Sequence, residues 1–195
     1  GEPRAERQER DHVGKAGEKN CPAHVCMIDR PPAPGATLAR FAATGARMLA
    51  EMAVARVERG QGRTPVAKVP YPVELALEFL RDIDHLVLVG SKIPVAFFAY
   101  PGKPGQLIQE GCKVLTLAEP GDDLPGALLA LADEIGASKT RTAARAAAPA
   151  DTGLPEGALD ADVVSTLVAR LLPENCIVCD ESVSSGRMFY RLSQD

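Results

Sequence analysis

Two runs of apolar residues dominate the hydrophobic pattern. Leu86-Val87-Leu88-Val89 closes on Gly90, and Lys113-Val114-Leu115-Thr116-Leu117-Ala118 is nearly as apolar. Continuous rather than alternating apolar character over five or six residues predicts strands buried on both faces, as in a parallel sheet. Between them, residues 91–105 carry three prolines, two glycines and the aromatics Phe97, Phe98 and Tyr100, which forbids a long regular element. The loop is therefore expected to fold back and bury its rings on the sheet.

Helical periodicity surrounds these strands. Leu38, Phe41 and Ala42 recur at i, i+3 and i+4, with Thr37 as a cap and Gly45 as a stop, predicting a short helix over 37–44 followed by a strand at Arg47–Glu51. Residues 53–70 read as a loop. Pro72 opens a helix with Val73, Ala76, Leu77 and Leu80 on one face. Gly121-Asp122-Asp123 turns into a second helix through Leu124, Leu128, Leu129, Ala132 and Ile135, ending at Gly136. Asp160 caps a third, with a wide stripe of Val163, Val164, Leu167, Val168, Leu171 and Leu172 that stops at Pro173. Asn175 to Asp180 is expected to be a short buried strand, then a small-polar turn, then a helix from Arg187 to Leu192. Gly1 to about Pro34 is dense in charge, Gly and Pro with neither period, and reads as poorly ordered. This organisation predicts an α/β protein, a mainly parallel sheet flanked by helices, with the first elements of a second α/β domain.

Composition narrows the classes. The 195 residues are 46% hydrophobic, an ordinary value for a globular protein. A net charge of −4 gives no basic field, so nucleic acid is not an expected partner. No window holds eighteen uninterrupted apolar residues and the start is polar, so neither a membrane span nor a secretory leader is expected, and a cytoplasmic setting follows. The five cysteines are an odd number, which suits reduced thiols.

The candidate chemistry is sparse. In Asp180-Glu181-Ser182-Val183-Ser184-Ser185-Gly186, small hydroxyl residues between a strand and a helix allow backbone N–H groups to face an anion, although serines before a helix are more often plain caps. Cys176-Ile177-Val178-Cys179 has a zinc-like gap, but residues three apart in a strand point to opposite faces, and Cys21, His24 and Cys26 read as incidental, so no metal ligands are assigned. His85 reads as a surface residue. Gly60-Gln61-Gly62 and Gly102-Lys103-Pro104-Gly105 lack the dinucleotide-binding spacing, which argues against a free-standing nucleotide binder.

The stretch Leu86 to Pro104, with Ser91-Lys92-Ile93-Pro94-Val95-Ala96-Phe97-Phe98-Ala99-Tyr100-Pro101-Gly102-Lys103-Pro104, and the following Glu110 to Leu117, resembles the central domain of thiamine-diphosphate enzymes. The branch is acetolactate-synthase large-subunit-like or benzoylformate-decarboxylase-like, and the similarity runs from about Phe41 to the last residue. It implies residues 37–137 as the central domain, 138–157 as a linker and 158–195 as the start of the diphosphate-binding domain. Residues 1–36 fall outside it, either a misread segment or a divergent linker.

By that resemblance Ser182, Val183 through its backbone, Ser184 and Ser185 contact the diphosphate of thiamine diphosphate, held with Mg2+ in the intact parent protein. FAD is open by analogy only, with no residue pattern here to support it. The family's Gly-Asp-Gly metal segment would lie beyond Asp195 and its catalytic glutamate before Gly1. The chain is thus expected to be an inactive fragment of an enzyme that decarboxylates or ligates small-molecule 2-oxo acids, homo-oligomeric when intact as a dimer or tetramer. The alternative is a non-catalytic structural or interaction domain.

Overall fold

The computed structural model describes residues 24–28, 45–60, 62–137, 153–182 and 184–193. Its centre is a five-stranded parallel sheet built from β1 (His24–Ile28), β2 (Arg47–Ala50), β3 (Ala67–Lys68), β4 (His85–Val89) and β5 (Lys113–Ala118), in the order β3-β2-β1-β4-β5. The chain builds outward from β1 in one direction, then crosses over to build outward in the other. That reversal places the topological switch point between β1 and β4.

Alternation along the strands explains why their sequences are continuously apolar. Leu86 and Leu88 of β4 join Leu49 of β2 in one cluster, while Val89 joins Met48 and Ala50 in another, with Val87 packed alongside. Side chains two apart share a face, so every residue of a central strand meets an apolar layer. On the first face lies α1 (Val73–Leu80), whose Val73, Ala76 and Leu80 are buried at the spacing the sequence predicts, with Leu77 partly so. On the second lies α2 (Leu124–Glu134), which buries Leu124, Leu128 and Ala132. The Asp123 carboxylate caps it by accepting from Gly126 N at 3.0 Å. Burying side chains such as Leu80 and Leu128 stabilises the sandwich by roughly 1.5–3 kcal/mol each.

Several expectations need correction. The segment read as lacking any element contains β1, which pairs with both β2 and β4. Five residues flanked by Pro22 and Pro31 give little local signal, and the ladder partners come from elsewhere in the chain. Within the predicted 53–70 loop, Ala67–Lys68 extends the sheet as β3. Strand β5 is not buried on two faces: it is the outer strand, and Lys113 to Thr116 are exposed. Leu129 of α2 is likewise exposed.

The loop after β4 folds back differently from the expectation. It closes through Ala96 N to Gly105 O at 2.8 Å and Leu107 N to Pro94 O at 3.0 Å, and Leu107 anchors it in the core. Its rings stay largely outside. Phe97 and Phe98 are 56% and 57% exposed, stacked edge to face at 4.7 Å and continued by Tyr71 and Tyr100.

Helix α3 (Ala161–Leu171) begins at its predicted cap, Asp160 Oδ1 accepting from Val163 N at 2.8 Å, and ends before Pro173. Its apolar stripe is not covered: Val164, Val168 and Leu171 are exposed, and the one buried residue is Ser165. Asn175 stands in a turn at φ 59°, and residues 176–180 form no strand, since no described strand pairs with them; both Cys176 and Cys179 are exposed rather than buried. The last helix, α4 (Phe189–Leu192), is one short turn. The predicted helix at 37–44 and most of the linker lie outside the described residues. Among the described residues no helix is long and apolar enough to cross a membrane.

Gly90 ends β4 at φ 63°, and a Cβ there would stand 2.5 Å from Leu124 Cδ1 of α2. Gly90→Ala is therefore expected to cost about 2–4 kcal/mol, the sum of left-handed strain and overpacking. Urea denaturation checks this; an unchanged midpoint would contradict the close approach of β4 and α2.

Candidate functional site

The serine turn predicted from sequence lies between residues 176–180 and α4, and its first donors are already engaged. Ser182 N donates to Asp180 Oδ1 at 2.9 Å, and the Ser182 hydroxyl donates to the same oxygen. This closes a tight Asx turn in which one carboxylate orients one serine. Gly186 completes it by close approach: a Cβ at that position would sit 1.7 Å from Ser182 Oγ and 3.1 Å from Asp180 Oδ1. On the other side, the Ser165 hydroxyl of α3 donates to Ser185 O at 3.2 Å. The turn is thereby tied to the helix before it.

The Asp180 carboxyl is held below its ordinary value, chiefly by the hydrogen bond from the Ser182 hydroxyl. Partial burial opposes this, while the Ser182 N–H and the charges of Lys68 and Arg59 add to it. Both cations come from the sheet side of the molecule, Arg59 from the β2–β3 loop and Lys68 from β3. The carboxylate of a small-polar turn is thus influenced by the charges of two basic side chains more than a hundred residues away in sequence.

Ser182, Ser184 and Ser185 are neighbours in the turn and are exposed; Val183 lies outside the described residues. The helix-dipole argument made for them does not hold. Helix α4 has four residues and begins at Phe189, so Ser182 to Ser185 are not its first turn. Ser184 and Ser185 are exposed. Ser182 can turn its donors to a phosphate only by releasing Asp180. A small pocket lined by Arg59, Gly60, Arg63, Thr64, Pro65 and Val66 lies in and around the β2–β3 loop rather than on the serine turn. Among the described residues, no group of three His, Cys, Asp or Glu is arranged to hold a metal ion. The residues that sequence reasoning missed are Asp180, Arg59 and Lys68. An Asp two positions before a Ser is a recognisable Asx-turn signal, whereas nothing local marks the two cations.

Comparison with known proteins gives the site its context. No protein-family model matches the chain. Over 155 residues, 78% of the chain, it is 44% identical to a Mycobacterium tuberculosis (strain ATCC 25618 / H37Rv) protein named "Putative acetolactate synthase large subunit IlvX". The chain spans 29% of that protein's length. Among solved structures, the thiamine diphosphate-dependent 4-hydroxybenzoylformate decarboxylase of Rhodococcus jostii RHA1 superposes with a TM-score of 0.59 at 15% identity. That match covers 94% of this chain and 37% of the decarboxylase, and it establishes the shared α/β fold.

Because the Ser182 hydroxyl is the leading cause of the low Asp180 value, Ser182→Ala is expected to raise it toward the ordinary carboxylate range. Gly186→Ala, which displaces the same hydroxyl, should act in the same direction. A depressed carboxylate stabilises the turn fully above its ordinary value, about 3.9, and that contribution is lost as pH falls through the lower folded value. Carbon-detected NMR titration of Asp180 measures both effects. An unchanged titration in Ser182→Ala would show that the bond does not hold the carboxylate.

Proposed function

We propose, from the premise that this chain is a relative of thiamine-diphosphate-dependent enzymes of the acetolactate synthase large-subunit-like branch, that it supplies their central α/β domain and the opening of their diphosphate-binding domain. The reading rests on one observation, the 44% identity over 155 residues. On this reading residues 37–137 are the central domain, 138–157 the linker and 158–195 the start of the second domain. Ser182, Val183 through its backbone, Ser184 and Ser185 line the diphosphate, with Ser184 and Ser185 meeting it first.

Thiamine diphosphate, bound with Mg2+, supplies the capacity to stabilise negative charge on a former carbonyl carbon; the protein supplies orientation and electrostatics. The substrate class is a small 2-oxo acid, decarboxylated and then released or joined to a second carbonyl compound. The working form is a cytoplasmic homo-oligomer, a dimer or tetramer. A polypeptide restricted to these 195 residues is proposed to be inactive, because the family's metal segment and catalytic glutamate are not among them.

A second reading, a non-catalytic structural or interaction domain, draws on exposed apolar surface. Phe97, Phe98 and Tyr71 form one exposed group, and Val164, Val168 and Leu171 another. The two readings differ in a measurable way. Protein expressed from its uninterrupted reading frame is expected to bind thiamine diphosphate in calorimetric titration only when Mg2+ is present, and Ser184→Ala to weaken binding about three- to tenfold, the loss of one hydrogen bond to a charged group. Absence of Mg2+-dependent binding in the unsubstituted protein would sink the enzymatic reading and favour the second.

A further inference from the structure

The serine turn is followed by a helix too short to hold itself. An isolated turn of four residues fixes its backbone for almost no hydrogen-bond return, so the order of α4 must come from what it docks on. It docks on the β2–β3 loop. Arg59 Nη1 donates to Tyr190 O at 2.6 Å across 131 residues of sequence. The same guanidinium lies 4.0 Å from the centre of the Tyr190 ring and 5.5 Å from that of Phe189, which is buried. The Tyr190 hydroxyl in turn donates to Val66 O at 2.9 Å, and Lys68 Nζ lies 5.6 Å from the same ring.

One side chain therefore holds α4, and α4 is bonded to the turn. Arg59 grips α4 by a charge-assisted hydrogen bond and ring stacking, and Phe189 N of the same helix donates to Gly186 O at 2.9 Å at the end of the turn. Half-burial weakens its hold on its proton, and Tyr190 and Asp180 oppose that loss. Lysine could supply the charge but not the planar stack.

We infer that Arg59 is a positioning residue, which fixes the Asp180–Gly186 turn against the central sheet and so sets where Ser182, Ser184 and Ser185 stand. Its bearing on a cofactor rests on the function proposed above; its bearing on the turn does not.

Hydrogen exchange on the 195-residue chain tests the second point. Arg59→Ala is expected to speed exchange across 180–193 about tenfold, with 73–89 unchanged, the scale of a charge-assisted bond with a stacked ring. Arg59→Lys should recover part of the protection, and Tyr190→Phe, which removes only the bond to Val66 O, should lose less than Arg59→Ala. Exchange over 180–193 that matches wild type in Arg59→Ala overturns the inference. So does acceleration spread equally over 73–89, which would mark general destabilisation.

In protein expressed from the uninterrupted reading frame, Mg2+-dependent thiamine diphosphate affinity should fall about tenfold in Arg59→Ala and return in part in Arg59→Lys. Unchanged affinity in Arg59→Ala, with wild type binding normally, overturns the inference as well. Wild type that binds no cofactor sinks the proposed function instead, and the exchange data then decide the role of Arg59 on their own.

Discussion

Burial of β4 on both faces is the constraint from which the remaining architecture follows. Leu86 and Leu88 face α1 and its cluster, Val87 and Val89 face α2 and the opposite one, and the parallel ladders to β1 and β5 leave the strand's backbone no route to water. A strand with no polar face demands a cover on each side, and α1 and α2 provide it. Gly90 then lets the chain leave the sheet beneath Leu124 without a side chain of its own. Loosening that strand would release both helices at once, because each apolar cluster includes residues of it.

Away from the sheet the structure changes character. Helix α3 and the segment 176–180 expose most of their apolar side chains, with Ile177 90% accessible. What order they have is polar and specific: an N-cap at Asp160, a hydroxyl from Ser165 to Ser185 O, a carboxylate turn at Asp180, and the Arg59–Tyr190 contact. Such bonds are individually worth about 1 kcal/mol, so the segment depends on several acting together. The chain spans 29% of the length of the curated relative it matches and 37% of the solved structure.

The sequence was readable wherever a local rule carries its own signal. The α1 face, the caps of α2 and α3, the stop at Pro173 and the two-faced burial of β4 all follow from spacing and from residue chemistry within a few positions. Family resemblance along the Leu86 to Pro104 stretch pointed to the thiamine-diphosphate enzymes, and the 44% identity to an acetolactate synthase-like protein agrees with it. Reading failed where the deciding neighbour is distant. The pattern Asn175 to Asp180 is that of a strand, yet a strand exists only with a partner, and none of the described strands pairs with it. Phe97 and Phe98 looked like core residues, but they stay exposed while Leu107 of the same loop enters the core.

By itself, then, the order of residues determined helices α1, α2 and α3 and the buried strand β4, because each is governed by periods of two or 3.6 and by caps lying within four residues. Only the tertiary structure decided that five residues among prolines and charges form the strand between β2 and β4, that β5 stands at the edge, and that Arg59 meets Tyr190. Ladder pairing and charge attraction act through space between groups that the chain itself separates by up to 131 residues, and no local pattern encodes that distance.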